Sequence, residues 1–96
     1  MIKLIAQNEV KMEHLSEALD LYEELVQKTR EESGCLKYDL YVDEKNENHF
    51  TFLEEWKDMD ALEAHRNSEH FTRIIPQVAL LRSKPSQVTF LKEFKK

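Results

Sequence analysis

What this chain most lacks is glycine: Gly34 is the only one in 96 residues. Loops that cradle phosphate need several glycines so that the backbone can approach the ligand, and no nucleotide or dinucleotide fingerprint can be drawn here. Cysteine is as scarce. Cys35 alone can make neither an internal disulfide nor a multi-thiolate metal site, and the polar, charged N-terminal stretch carries no secretory apolar run. Together these point to a reducing cytoplasm. No apolar stretch approaches the ~20 residues that a bilayer-spanning helix requires. Basic residues are in deficit too: 14 face 19 acidic ones, and a formal net charge of -5 repels a phosphate backbone and gives anionic membranes little hold. Neither nucleic acid nor membrane is an expected partner.

Familiar catalytic motifs are missing as well. The histidines are His14, His49, His65 and His70, and none stands in an HExxH or equivalent spacing with carboxylates. On one continuous helix, His65 and His70 would lie roughly 140° apart and would not share a face. No metal site is expected. Ser16, Ser33, Ser68, Ser83 and Ser86 fall near helix ends or turns, where serine has structural work to do. Cys35 opens a strand behind a glycine, a place for packing rather than nucleophilic attack.

What is present is the balance of a globular domain, with 41% hydrophobic and 34% charged residues. Residues 1–96 are expected to form one domain whose core is thin, and dimerisation would enlarge it. Ile2, Leu4, Ala6, Asn8 and Val10 alternate with polar neighbours and predict a strand. From Met12 the period becomes helical, through Leu15, Ala18, Leu19, Tyr22, Leu25, Val26 and Thr29. This helix should end at Ser33-Gly34, with Gly34 in the left-handed conformation of a C-cap. Alternation returns over 35–43, with Leu36, Tyr38, Leu40 and Val42 on one face, and after a polar loop over 49–56, with Phe50, Phe52, Glu54 and Trp56 together. Asp58 and Ser68 suit the N-caps of two helical segments. Pro76 should kink or restart the second, because it cannot donate an internal helical hydrogen bond. A strand over 86–94 closes the order β-α-β-β-α-β, the α+β ferredoxin-like arrangement with an antiparallel sheet. RNA-recognition modules share that order. Their basic residue and glycine are absent around His49-Phe50-Thr51-Phe52-Leu53, and their last aromatic position falls on Glu55.

Three stretches then carry a resemblance: Glu32-Ser33-Gly34-Cys35 running on to Tyr41, Phe52-Leu53-Glu54-Glu55-Trp56, and Leu62-Glu63-Ala64-His65 followed by Ser68-Glu69-His70-Phe71. In this order and spacing the chain resembles the antibiotic biosynthesis monooxygenase family. The resemblance implies a dimeric α+β barrel, with the last strand reaching toward a partner. It further implies an enzyme that oxygenates a small phenolic or quinol-type aromatic with molecular oxygen and no metal, flavin or other cofactor. Other members handle heme or a phosphorylated quorum signal. The chain departs from the heme-degrading pattern, since the heme-ligating histidine of those members falls near Ile75 and their pocket tryptophan near His65. An isomerase of a small hydroxylated carbonyl compound and a non-catalytic ligand-binding dimer are the other functions the resemblance leaves open.

The expected reaction needs a bound aromatic, a proton acceptor and exclusion of water. His65 is the candidate base, since an imidazole titrates near neutrality. Glu54 is a second acceptor, or else the partner of Lys92 or Arg82. Trp56 and Phe52 are candidate aromatic walls, and Trp56 could equally be core. Asn8, the polar residue on an apolar face, is a substrate anchor or an exposed strand end. Tyr38 either lines the cavity or packs in the core, and His70 either contacts substrate or sits at a helix end.

Overall fold

The structure, a computed structural model, describes residues 1–96. Strand β1 is Ile2–Glu9, helix α1 Leu15–Arg30, β2 Cys35–Val42, β3 His49–Trp56, α2 Met59–Arg66, α3 Glu69–Leu81 and β4 Gln87–Leu91, with a short 3-10 turn over Met12–His14 before α1. The four strands form one antiparallel sheet in the order β2-β3-β1-β4, and the helices cover one face. The short dimension of the molecule, 19 Å, is that of one sheet and one helical layer. The ferredoxin-like α+β order expected from periodicity is the order observed.

Register explains which residues meet. Leu4 pairs with Glu54 and Glu54 with Tyr38; Ala6 pairs with Phe52 and Phe52 with Leu40. These rows point toward the helices, because side chains two apart on a strand share a face. Helix α1 answers with Ala18, Tyr22, Leu25 and Thr29, all buried, at alternating four- and three-residue steps. Leu19, expected on that stripe, is 45% exposed. Helix α3 contributes Ile74, Val78 and Leu81 to the same core. No helix is long and apolar enough to cross a membrane.

The structure corrects the expected local geometry in four places. Gly34 has no positive φ and therefore is no left-handed C-cap; a Cβ there would collide with the Cβ of Ala61. Close approach of the β2 entrance to α2 is what demands glycine. A bulge between Cys35 and Lys37 sets Cys35 opposite Trp56, and Leu36, expected beside Tyr38, is turned out and 57% exposed. Helix α3 runs through Pro76 without restarting. The ring is on the exposed side, where water can serve the Thr72 carbonyl that loses its donor. The last strand ends at Leu91, short of the expected Phe94.

Asp58 and Ser68 cap as their identities require. The Asp58 carboxylate accepts from the Ala61 amide at 2.8 Å and the Ser68 hydroxyl from the Phe71 amide at 3.2 Å. The second cap matters most for function. Because α2 ends at Arg66 and α3 restarts at Glu69, the chain turns between His65 and His70 instead of continuing one helix.

Candidate active site

Between sheet and helices lies a mostly apolar cavity of about 180 Å³, walled by Leu4, Tyr38, Phe52, Leu62, Phe71 and Ile75 among others. For scale, a cavity of ~150 Å³ accepts benzene, so the space suits one substituted ring. Asn8, Tyr38, Phe52, Glu54 and His65, five of the residues singled out from sequence, all face it.

His65 is 2% exposed and stands in an aromatic box. Trp56 lies 4.5 Å away between ring centroids at 34°, Phe71 meets it edge-on at 4.9 Å, and Tyr38 is at 5.5 Å. Burial among these rings disfavours the imidazolium and lowers the His65 pKa, against the opposing pull of the Glu32 carboxylate. The ring is accordingly neutral near pH 7. Its Nδ1 is 2.7 Å from Glu32 Oε2. A carboxylate accepts, so the neutral ring carries its proton on Nδ1 and leaves the Nε2 lone pair free. This is the tautomer a base needs.

Glu32 also holds His70, whose Nε2 lies 2.7 Å from the same Oε2. The turn between α2 and α3 thus defeats the expectation that His65 and His70 are kept apart. Both imidazoles converge on one carboxylate oxygen. The three groups are the cluster that could hold a metal, their ligating atoms lying within 4.8 Å of one another. At 2.7 Å the contacts have the length of charge-assisted hydrogen bonds. An ion with bonds of ~2.0–2.2 Å to each ligand would have to part them.

Glu54 is 7% exposed. Its Oε1 accepts from the Trp56 indole N–H at 3.0 Å, and neither Lys92 nor Arg82 reaches it; Arg82 donates to Asn8 Oδ1 at 3.2 Å instead. Burial outweighs the indole hydrogen bond and pushes the carboxyl from its ordinary 4.5 up to about 7. A raised carboxyl pKa favours the folded state at low pH and loses that contribution as pH climbs through the folded value. The rise from 4.5 to about 7, at 1.36 kcal/mol per pH unit, is worth up to about 3 kcal/mol. Glu54→Gln keeps the acceptor for Trp56 without the charge. Relative to wild type it should therefore gain up to about 3 kcal/mol between pH 4 and pH 8 in urea unfolding; a constant difference across that range would refute the assignment.

Of the two places open to each of Trp56 and His70, the structure shows the one away from the cavity. Trp56 is wholly buried and does not face the cavity; it packs against His65 and fixes Glu54, so it supports the wall without being one. His70 is likewise outside the cavity lining, engaged with Glu32. Tyr38 is both core and lining, and burial raises its phenol well above 10, which keeps it a donor. Cys35 is a free, half-buried thiol whose pKa is raised chiefly by desolvation and next by the Glu32 charge, which disfavours the thiolate. Sequence reasoning missed Glu32, although it opens the Glu32-Ser33-Gly34-Cys35 stretch, because nothing local shows that it reaches two histidines.

The model of the antibiotic biosynthesis monooxygenase family matches residues 1–77. This chain belongs to that family. A solved antibiotic biosynthesis monooxygenase is 44% identical, with a TM-score of 0.95, over 99% of this chain and 100% of that one. The Bacillus subtilis protein YcnE, provisionally named a monooxygenase, is 39% identical over 88 residues, covering 92% of this chain and 93% of its own. The Synechocystis protein sll1783 is 30% identical over 83 residues, 86% of this chain, which spans 56% of that longer relative. The motifs that carry the family likeness supply the cluster just described: Glu32 from the first, Glu54 and Trp56 from the second, His65 and His70 from the third. A general monooxygenase-like character follows from the membership.

Proposed function

We propose that this family member is a cofactor-independent monooxygenase of a small phenolic or quinol-type aromatic. The observation that carries the reading is His65, held by Glu32 through Nδ1 with Nε2 free, beside a buried Glu54 in a cavity of single-ring size. A dihydroxyaromatic entering this space gives a phenolic proton to Nε2 of His65, and the phenolate so formed is electron-rich enough to reduce oxygen itself. One oxygen atom enters the ring, the other leaves as water, and a dihydroxybenzene becomes a hydroxyquinone with atoms and electrons in balance. Glu54, poised near neutrality, takes or returns the second proton. The apolar walls exclude water from the reactive phenolate.

The test is oxygen uptake by purified, metal-stripped protein against a panel of dihydroxyaromatics, with ¹⁸O₂ label traced into the product. Uptake above the uncatalysed rate with one labelled atom retained is expected. No uptake from folded protein would move the reading to an isomerase that uses the same two proton-carrying groups. Glu32→Gln supplies a second check, because the wrong tautomer at His65 should cost on the order of a hundredfold or more in kcat. Glu32 raises the His65 pKa, so its loss should also carry the acid limb of the kcat/KM profile to lower pH. A fall in kcat with an unmoved limb would make Glu32 a merely structural residue.

The working form proposed is a homodimer joined through the sheet face opposite the helices. Tyr41 and Leu91 are 53% and 47% exposed, and register sets them on that face with Ile5 and Leu53. Light scattering should give twice the chain mass, and a monomer at micromolar concentration would overturn this.

A further inference from the structure

The cavity has a second polar end that the proposed chemistry does not use. Asn8 lies four residues along β1 from Leu4, the register partner of Glu54, which is about 13 Å of strand. Around Asn8 stand Tyr22 and Arg82, both lining the same cavity. Tyr22 is 1% exposed and its hydroxyl has no hydrogen-bond partner; the Arg82 Nε is likewise buried and unpartnered. Such orphans are uncommon, and each calls for a specific explanation.

The three side chains agree in what they lack. Arg82 donates only through Nη1, to Asn8 Oδ1 at 3.2 Å, and no carboxylate of the chain pairs with it, whereas its cavity neighbour Arg66 has Glu63 at 3.3 Å. That leaves the Nε–Nη2 edge of the guanidinium open, the edge that grips a planar carboxylate with two parallel hydrogen bonds. Asn8, with Oδ1 turned to Arg82, has its amide N–H groups to give. Burial pushes the Tyr22 phenol up to about 12, so it too remains a donor. The backbone holds Arg82 firmly: its amide donates to Val78 at the end of α3, and it bridges to Val10.

We infer that Tyr22, Asn8 and Arg82 form an oxyanion subsite, and that the ligand is a single-ring hydroxylated aromatic carrying a carboxylate. The hydroxylated-ring part of this inference rests on the proposed oxygenase reading; the subsite rests on the unpaired donors alone. Arg82 and Tyr22 are then specificity-determining residues that orient the ring with its phenolic edge toward His65 and Glu54. A free cation in a low-dielectric wall attracts an anion far more than water would allow.

Binding, measured by calorimetry without turnover under anaerobic conditions, separates this inference from the oxygenation step. The probes are 2,5-dihydroxybenzoate, its methyl ester and unsubstituted hydroquinone. The carboxylate should bind at least tenfold more tightly than the other two. Arg82→Gln should remove that preference while leaving hydroquinone affinity within about threefold, and Tyr22→Phe should reduce it several-fold, in variants whose thermal unfolding shows that they fold. Absence of a carboxylate preference in wild type, whether all three probes bind alike or none binds, overturns the inference. So does an Arg82→Gln loss that falls equally on all probes. A preserved preference beside absent oxygen uptake would leave the subsite standing and remove the oxygenase.

Discussion

His65→Ala should lower kcat for oxygen uptake by roughly 10²–10⁴-fold, the usual worth of a positioned general base, with much less effect on ligand affinity. Three observations set the size of this effect. The imidazole is buried among Trp56, Tyr38 and Phe71, so no bulk water replaces it readily. Its pKa lies below the ordinary 6.5, so the free-base form is already the populated one at pH 7. Its Nδ1 is occupied by Glu32 at 2.7 Å, which leaves Nε2 as the basic nitrogen of a residue that lines the cavity. The alanine variant also removes a partner of Glu32 while His70 still holds that carboxylate, and the variant should remain folded. Small-molecule imidazole added to His65→Ala should recover part of the rate, which a purely structural histidine would not permit. Wild-type turnover in the alanine variant would sink the assignment of His65 as base.

Gly34→Ala should destabilise the protein by about 1–3 kcal/mol, the range for overpacking a close contact, and a domain of this size loses roughly 4–8 °C in Tm per kcal/mol. The cause is steric, since the φ of Gly34 is not positive. An added Cβ meets both Cβ and Cα of Ala61, and backbone cannot swing aside as a flexible side chain would. The stretch that must give is the one carrying Glu32, so catalysis should weaken together with stability. Ala61→Gly in the same chain should recover most of the packing loss, less the ~1 kcal/mol that glycine costs inside a helix. If Gly34→Ala alone leaves both Tm and turnover intact, close approach is not what the glycine is for.

Several features were readable from local pattern because local physics sets them. Alternation placed Leu4, Ala6 and Asn8 together on one face of β1, and Phe50, Phe52, Glu54 and Trp56 together on one face of β3, and pleated backbone leaves no other option. Asp58 and Ser68 were legible as caps because the orphan amides of a helix start need a short acceptor. Pro76 and Gly34 misled for the same reason in reverse. A proline facing water costs a helix less than its rule suggests, and a glycine near a helix end can answer to a neighbour distant in sequence rather than to its own φ. Alternation leaves Trp56 as either a cavity wall or a core residue, and only its contacts, packed on His65 and donating to Glu54, place it in the core.

By itself, then, the sequence determined the element order, the buried faces, the two caps and the membership that its three motifs announce, since all of these depend on spacing within short windows of chain. Tertiary structure alone decided that Glu32 meets histidines 33 and 38 residues away, that Glu54 answers to Trp56, and that Arg82 stands beside Asn8 without a counter-ion. Those contacts depend on how α1, the α2–α3 turn and the sheet close on one another. Burial, which closure creates, is what turns ordinary histidine, glutamate and arginine side chains into a neutral base, a near-neutral acid and an unpaired cation.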